Sequence, residues 1–292
     1  MLVALALIWG ASFMFIKIAV RELAPATLIL GRLGSAAIIL AVVAVVRIGV
    51  RATLDELWLA RRALVAVALL NMALPFWLLS WGETRLDSGL AAIIQASVPI
   101  FNAALAFVFF REVRVTGWRL AGLGIGFVGV ALLVGAQPQG KILGAVAIVG
   151  MAVCYALAGL LAGRHLRGSP PLVVALGSTA IAALAAAPAG IAQAPRAAVG
   201  WETVGSVLVL GIPGTAFAFL IFYALIQRAS AAYAALVTYL IPPIALAYGA
   251  VFLGESFAPS AYGALVLVLA GVALGTGALR PSLFRRGVPS EA

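Results

Sequence analysis

The stretch LIPPIALAYGAVFLGE, residues 240–255, is a long apolar run that carries two adjacent prolines, Pro242 and Pro243, near its start. A proline inside a helix removes one backbone hydrogen bond and clashes with the preceding turn, which costs about 3 kcal/mol. In a bilayer such a break is tolerated only where protein or a water-filled cavity satisfies the freed carbonyl groups. The fold therefore depends on whether this run crosses a membrane, and on what surrounds its prolines.

The composition of the chain indicates a membrane protein. Of the 292 residues, 65% are hydrophobic and only 10% are charged, whereas a soluble domain is ordinarily about 25% charged. We therefore predict an all-α polytopic protein embedded in a lipid bilayer. The net charge of +10 reflects arginines between apolar segments. That pattern is typical of membrane topology, so no nucleic-acid partner is expected.

Ten apolar segments are long enough to cross the hydrocarbon as helices, which takes about 17 to 25 residues each. Their predicted bounds are 2–20, 27–46, 63–82, 88–110, 118–136, 142–163, 171–191, 204–226, 231–253 and 260–279. The first segment is predicted to be a span rather than a removed signal peptide, because no small-residue cleavage site follows it.

The distribution of basic residues predicts how these spans are oriented. Thirteen arginines follow even-numbered spans or lie in the C-terminal tail: Arg47, Arg51, Arg61, Arg62, Arg111, Arg114, Arg119, Arg164, Arg167, Arg228, Arg280, Arg285 and Arg286. Four basic residues follow odd-numbered spans: Arg21, Arg85, Lys141 and Arg196. Because basic loops stay on the cytoplasmic side, we expect both termini in the cytoplasm and the chain in a bacterial inner membrane.

The two halves of the chain repeat. A shift of 143 positions places Pro242 on Pro99, within QASVPIFNAALAFVFFRE, and Glu255 on Glu112. Because each half has five spans, an odd number, the second must be inverted, and inverted repeats place substrate sites near the midplane. We expect helix breaks at Pro99, Pro242 and Pro243 beside a central cavity, with simple packing kinks as the alternative. The predicted units are 1–136, 142–280 and a cytoplasmic tail, 281–292.

Several motifs resemble a known family. They are WGASFMFIK at 9–17, YALIQRASAAYAALVTYLIPP at 223–243, the Gly254-Glu255 pair and the glycine-rich fifth and tenth spans. Together they resemble two tandem EamA domains, the repeats of ten-helix carriers in the drug/metabolite transporter superfamily. The resemblance implies a basket-like bundle with a central cavity and export of small metabolites, and bacterial amino-acid exporters are among its members.

The candidate substrate-binding residues are polar and aromatic side chains near the predicted midplane. They are Trp9, Ser12, Asn71, Trp77, Gln95, Asn102, Tyr155, Phe217, Thr238, Tyr239 and Tyr248. Amides that face lipid are costly, so they either bond neighbouring helices or line a hydrogen-bonding pocket for an amphipathic solute. For Lys17 and Arg32, the basic residues inside spans, anchoring at the interface is expected ahead of substrate contact.

Other classes of function lack the residues that they need. The sequence contains no HExxH, no GxSxG and no Walker-type phosphate loop, and no Cys/His cluster has metal-ligand spacing. We therefore expect no catalytic residues, no metal and no cofactor. The acidic residues, Glu83 among them, fall at span ends or in loops, which argues against proton antiport through a carboxylate. Glycines 122, 126, 271 and 275 allow close packing within one chain or across a dimer, and a monomer is favoured.

The sequence thus predicts a transporter of small molecules that works by alternating access at a midplane cavity. Amino acids, aromatic ones included, are the leading substrates. Other exported solutes, such as drug-like compounds, nucleobases or sugars, remain alternatives, as does a membrane scaffold that transports nothing.

Overall fold

A computed structural model shows a bundle of ten apolar helical spans and describes residues 1–109, 117–135, 139–229 and 231–275. The spans are α1 (Leu2–Ala19), α2 (Pro25–Ile48), α3 (Val50–Glu83), α4a (Ser88–Gln95) with α4b (Val98–Phe109), α5 (Trp118–Gly135), α6 (Gln139–His165), α7 (Pro171–Ala192), α8 (Trp201–Arg228), α9a (Ala231–Ala235) with α9b (Val237–Leu253), and α10 (Pro259–Gly275). Nine apolar segments of 18 residues or more lie within the described ranges, and α10 adds a shorter one of 17. The predicted all-α polytopic membrane fold is confirmed.

The third span is longer than the sequence predicted. α3 begins at Val50 instead of near residue 63, so most of the segment 47–62 continues the helix. Its first turns are amphipathic, with Trp58 exposed and the Arg61 guanidinium 4.0 Å from the Trp58 ring centroid. Gly49, at a φ of 91°, ends α2 in a conformation that other residues rarely adopt.

The fourth and ninth spans are both interrupted, but only the interruption of the fourth lies next to a predicted proline. α4a ends at Gln95 and α4b begins at Val98, just before Pro99. The expected break at Pro242 and Pro243 is wrong, because α9b runs through both prolines and the interruption lies at Leu236. A proline deprives the carbonyl four residues earlier of its donor, and for Pro99 this is the carbonyl of Gln95, the last residue of α4a.

Two π-helical segments were not predicted. They cover Leu69–Ala73 within α3 and Ile212–Phe217 within α8, and they begin 143 residues apart (212 − 69). Pro75 lies just after the first of these segments, and Pro213 is the second residue of the other. A π-helical turn rotates the side chains that follow it, and such turns often occur at functional sites.

The packing of the helices follows the internal repeat. α1 packs on α9 as α6 packs on α4, and α2 packs on α8 as α7 packs on α3. α2 also packs on α7, and α5 packs along α10. Each of these contacts therefore recurs when both helices are replaced by the helix five positions further along, counting on from α10 to α1. The inversion of the second half in the membrane stays a prediction.

The glycine-rich fifth and tenth spans pack against each other within the chain. Gly122, Gly126, Gly271 and Gly275 are all buried, and a Cβ atom added to Gly122 would lie 2.5 Å from the amide nitrogen of Gly275. These glycine faces thus form an intramolecular seam and are not free for a dimer contact.

One end of the bundle, which we call the odd-loop end, contains the loops after α1, α3, α7 and α9. Hydrogen bonds join the first five spans to the last five there. The pairs are Ser88 N to Glu255 Oε1 (2.8 Å), Ser88 Oγ to Glu255 Oε2 (2.8 Å), Gly200 N to Glu22 Oε2 (2.7 Å), Thr27 Oγ1 to Gly190 O (2.9 Å) and Lys141 Nζ to Asp87 Oδ2 (3.2 Å). The bundle is therefore held closed at this end.

Candidate functional site

A cavity of about 370 Å³ lies among the spans, on the inner side of the odd-loop end. This volume falls within the range of small-molecule binding sites. On the side of the odd-loop end it is bounded by Ile16, Leu79 and Ala92, and it continues towards Tyr223 and Thr238. Most of its lining is apolar, and it includes a small number of polar side chains.

Arg32 on α2 is the one basic residue in the cavity lining of the part of the chain that the structure describes. Its side chain is 6% exposed, its Nε donates to Thr215 Oγ1 at 3.0 Å, and its guanidinium lies 4.0 Å from the ring centroid of Phe76. Among the described residues, no carboxylate lies within ion-pair distance of it. The expectation that Arg32 anchors at the membrane interface is wrong, because the side chain points into the protein.

Thr215 is positioned by the π-helical segment of α8. Its hydroxyl donates to the carbonyl of Leu210, five residues earlier, at 2.8 Å, and accepts the hydrogen bond from Arg32. This chain fixes one edge of the guanidinium. The remaining N–H groups of Arg32 are on a cavity-lining side chain and are suited to a planar anion such as a carboxylate.

Aromatic side chains form one wall of the cavity: Trp9 of α1 with Phe219, Phe222 and Tyr223 of α8. The Trp9 ring centroid is 5.5 Å from that of Phe222 and 6.4 Å from that of Phe219, and Phe219 stacks on Tyr223 at 6.1 Å. The α8 residues recur at helical spacing and so share one face. Such a wall can pack an aromatic body, and its ring faces can also attract an ammonium group.

Amides and hydroxyls complete the polar lining. Asn71 lies in the π-helical segment of α3, Gln95 is the last residue of α4a, and Thr238 lies in the first turn of α9b. The irregular helical segments thus bring these groups to the cavity. Within the described ranges, Asn71 and Gln95 have no protein hydrogen-bond partner, so their donors and acceptors are available to a bound solute.

The arrangement suits a small solute with an anionic group and an apolar body. Among the residues that the structure describes, no acidic side chain lines the cavity. Among the described residues, no group of three or more His, Cys, Asp or Glu side chains could hold a metal ion. The geometry is that of a binding site that combines a fixed cation with a wall of aromatic rings.

The sequence matches the model of the EamA-like transporter family twice, over residues 1–135 and 142–276. The chain belongs to the EamA-like transporter family. Proteins of the EamA-like family are membrane transporters and not enzymes, so the cavity is the candidate passage of a transporter.

Three relatives of this EamA-like chain are similar over most of their length. It is 31% identical over 278 residues to a probable terminal-alkyne amino-acid exporter of Streptantibioticus cattleyicolor, covering 91% of this chain and 89% of the relative. It is 25% identical to an uncharacterized transporter of Archaeoglobus fulgidus (90% and 93% covered) and 26% identical to the uncharacterized transporter YvbV of Bacillus subtilis (94% and 90% covered). A solved structure covers 95% of both chains with a TM-score of 0.65 at 20% identity, which shows likeness of fold.

The structure brings six of the eleven candidate residues of this EamA-like protein together. Trp9, Ser12, Asn71, Gln95, Tyr155 and Thr238 line the cavity, and so does Pro242.

The other five candidates lie elsewhere. Asn102 lines a separate hollow with Arg164 and Arg167, and Tyr248 lines a third one with Pro213. Tyr239 packs against the hydrophobic core. Trp77 is 39% exposed and Phe217 is 47% exposed, so these two face away from the cavity. Pro99 is half-buried beside the lining residue Val98, and Pro243 is exposed.

Sequence reasoning missed the aromatic residues Phe76, Phe219, Phe222 and Tyr223, and it underrated Arg32. The i, i+3, i+4 spacing of the three aromatics on α8 was the signal that could have found them. Nothing in the sequence placed Thr215 beside Arg32, because 183 residues separate the two.

Proposed function

We propose that this EamA-like transporter exports amino acids, aromatic ones included, from the bacterial cytoplasm across the inner membrane. The observation that carries the proposal is Arg32, a buried cation without an acidic partner among the described residues, in a cavity that also has an aromatic wall. In this role the guanidinium binds the substrate carboxylate. The amides of Asn71 and Gln95 and the aromatic faces bind the ammonium group and the side chain.

The composition of the cavity argues against other charged solutes. A dication needs acidic partners, and no acidic side chain of the described part of the chain lines the cavity. A phosphorylated sugar needs several cations, whereas within the described ranges the lining contains one basic residue, Arg32. The relative from Streptantibioticus cattleyicolor, a probable exporter of an amino acid with an apolar terminal-alkyne side chain, supports the same class.

The closed odd-loop end supports export by alternating access. In the predicted topology this end faces the outside, so the cavity is closed towards the outside. A carrier must be in such a conformation when it loads substrate from the cytoplasm. Rocking of the two halves about the cavity would then open the odd-loop end and release the substrate.

The first prediction tests Arg32. In proteoliposomes, counterflow of phenylalanine by Arg32→Gln is expected to require about tenfold to a hundredfold more substrate, because a hydrogen bond to a charged group contributes about 1.5–3 kcal/mol. Arg32→Lys keeps the charge but loses the planar fork, so it should be intermediate. Arg196→Gln, a change in an exposed loop, is the matched control.

Three outcomes would contradict the proposal. Wild-type affinity in Arg32→Gln would remove the carboxylate site. Transport of nucleobases, sugars or drug-like compounds with no amino-acid counterflow would favour an exporter of other solutes. Movement of no solute by well-folded protein would favour a membrane scaffold.

A further inference from the structure

A buried carboxyl group lies beside the contacts that close the odd-loop end. Glu83 is the last residue of α3 and is 0% exposed. Both of its carboxyl oxygens lack a hydrogen-bond partner. The sequence predicted an acid at the end of a span, and the structure encloses this carboxyl group within the protein.

The nearest cation does not satisfy this side chain. Lys17 Nζ donates to the backbone carbonyls of Glu83 at 2.7 Å and of Leu86 at 2.8 Å. The ammonium group therefore fixes the turn between α3 and α4a against α1. It satisfies carbonyls that the end of α3 would otherwise leave without donors.

The other ionisable groups around Glu83 come from every neighbouring element. Lys17 on α1, Arg32 on α2 and Glu255 after α9 are near enough to act on its charge. The elements packed against it also carry Lys141 and Tyr155 on α6, and Asp87 and Arg85 in the adjoining turn. Glu255 accepts hydrogen bonds from Ser88 and Gly89, and Lys141 forms an ion pair with Asp87. The Arg85 guanidinium lies over the ring of Trp81. None of them forms an ion pair with Glu83.

Burial of an unpaired carboxylate is far more costly than burial of the neutral acid. We propose that Glu83 is a proton-binding site that must be occupied for the odd-loop end to close. When this end opens, Glu83 meets water and releases the proton. When it closes, the group takes a proton up from the same side, so the proton controls the gate and need not cross the membrane.

The proposal does not depend on which solute is transported, and it fixes the direction of the pH dependence. Because the closed form binds one proton more than the open form, the ratio of closed to open protein rises as the pH falls. The change for one proton is up to about tenfold per pH unit.

The test measures opening through a buried cysteine. In a Cys154→Ala background, Leu86→Cys places a thiol at a position that is 0% exposed in the closed form, and Thr84→Cys places one at an exposed position nearby. The two alkylation rates by a small water-soluble reagent are measured from about pH 4 to 9, where protein carboxyls titrate. Their ratio removes the pH dependence of the thiol itself and reports opening.

With Glu83 intact, this ratio should fall steadily as the pH is lowered. Glu83→Gln, a permanently neutral isostere, should keep the ratio low at every pH, and Glu83→Asp should restore a pH dependence. Glu202→Gln, at an exposed acid on the first turn of α8, should behave like the parent. A pH-independent ratio in the parent, or an unchanged pH dependence in Glu83→Gln, would overturn the proposal.

A second measurement does not rely on the cysteine variants. Infrared spectra of the wild-type protein should contain the carbonyl stretch of a protonated carboxylic acid, shifted in Glu83→Asp and unchanged in Glu202→Gln. Absence of such a band at neutral pH would show that Glu83 is ionised in the closed form and would refute the site.

Discussion

Trp9 tests the aromatic wall at the scale of one side chain. Its ring packs 5.5 Å from Phe222, and an aromatic contact contributes about 0.5–1.5 kcal/mol beyond burial. Trp9→Ala is therefore expected to weaken binding of phenylalanine and tryptophan by about two- to tenfold. Binding of threonine, which leaves the wall unfilled, should change less. Binding constants from substrate competition in proteoliposomes provide the measurement.

Trp77 supplies the matched control for this change. It is exposed and stacks on Trp81, with ring centroids 6.2 Å apart, away from the cavity. Trp77→Ala should leave the preference for aromatic over aliphatic substrates unaltered. Equal losses for phenylalanine and threonine in Trp9→Ala would mean that the indole supports the fold and does not select the side chain.

Trp77 and Phe76 also show what the sequence could predict about single residues. Their depth in the bundle follows from the length of the apolar run, but sequence reasoning named Trp77 as a lining residue and missed Phe76. The direction of a side chain depends on the rotation of its helix, and the π-helical turn at Leu69–Ala73 changes that rotation just before both. Phe76 consequently lines the cavity and Trp77 does not.

At the scale of elements, α5 and α10 pack so closely along their glycine seam that it has no room for larger side chains. A Cβ atom at Gly122 would lie 2.6 Å from Leu274 Cβ and 2.9 Å from its carbonyl carbon, whereas one at Gly124 would meet no atom within 4 Å. Gly122→Ala should therefore destabilise the protein by about 1–3 kcal/mol through overpacking. Gly124→Ala should be neutral or slightly stabilising, because alanine favours helix.

Thermal unfolding of the two variants in detergent separates these effects. Both changes add one methyl group to α5, so only their surroundings differ. An unchanged unfolding temperature for Gly122→Ala would show that α5 and α10 separate without cost and that the seam is looser than the structure has it.

The elements themselves were more predictable than their interruptions. Span bounds follow from apolar length, which the bilayer thickness imposes, and most helices end within a few residues of the predicted positions. The π-helical segments and the break at Leu236 depend on which neighbours satisfy the freed carbonyls. These neighbours are distant in sequence, so the polar groups that the irregular turns bring to the cavity could be named only in part.

At the scale of the whole molecule, the repeat was visible because matched landmarks are a fixed distance apart in the chain. The contacts extend it, since α1 with α9 and α6 with α4 are related by the same step of five helices. The conformational state could not be predicted, because both states of a carrier use one sequence. The hydrogen bonds between Ser88 and Glu255 distinguish the closed odd-loop end.

The orientation of the bundle is the last prediction, and it determines what the closed end means. The distribution of thirteen basic residues against four predicts that the odd-loop end faces the outside. In a Cys154→Ala background, a single cysteine at Arg196, which is exposed in the loop after α7, should react in intact cells with a membrane-impermeant thiol reagent. A cysteine at His165, exposed at the other end of α6, should react only after the cells are opened. The reverse pattern would make the closed end cytoplasmic, and the conformation would then be one that receives solute from outside.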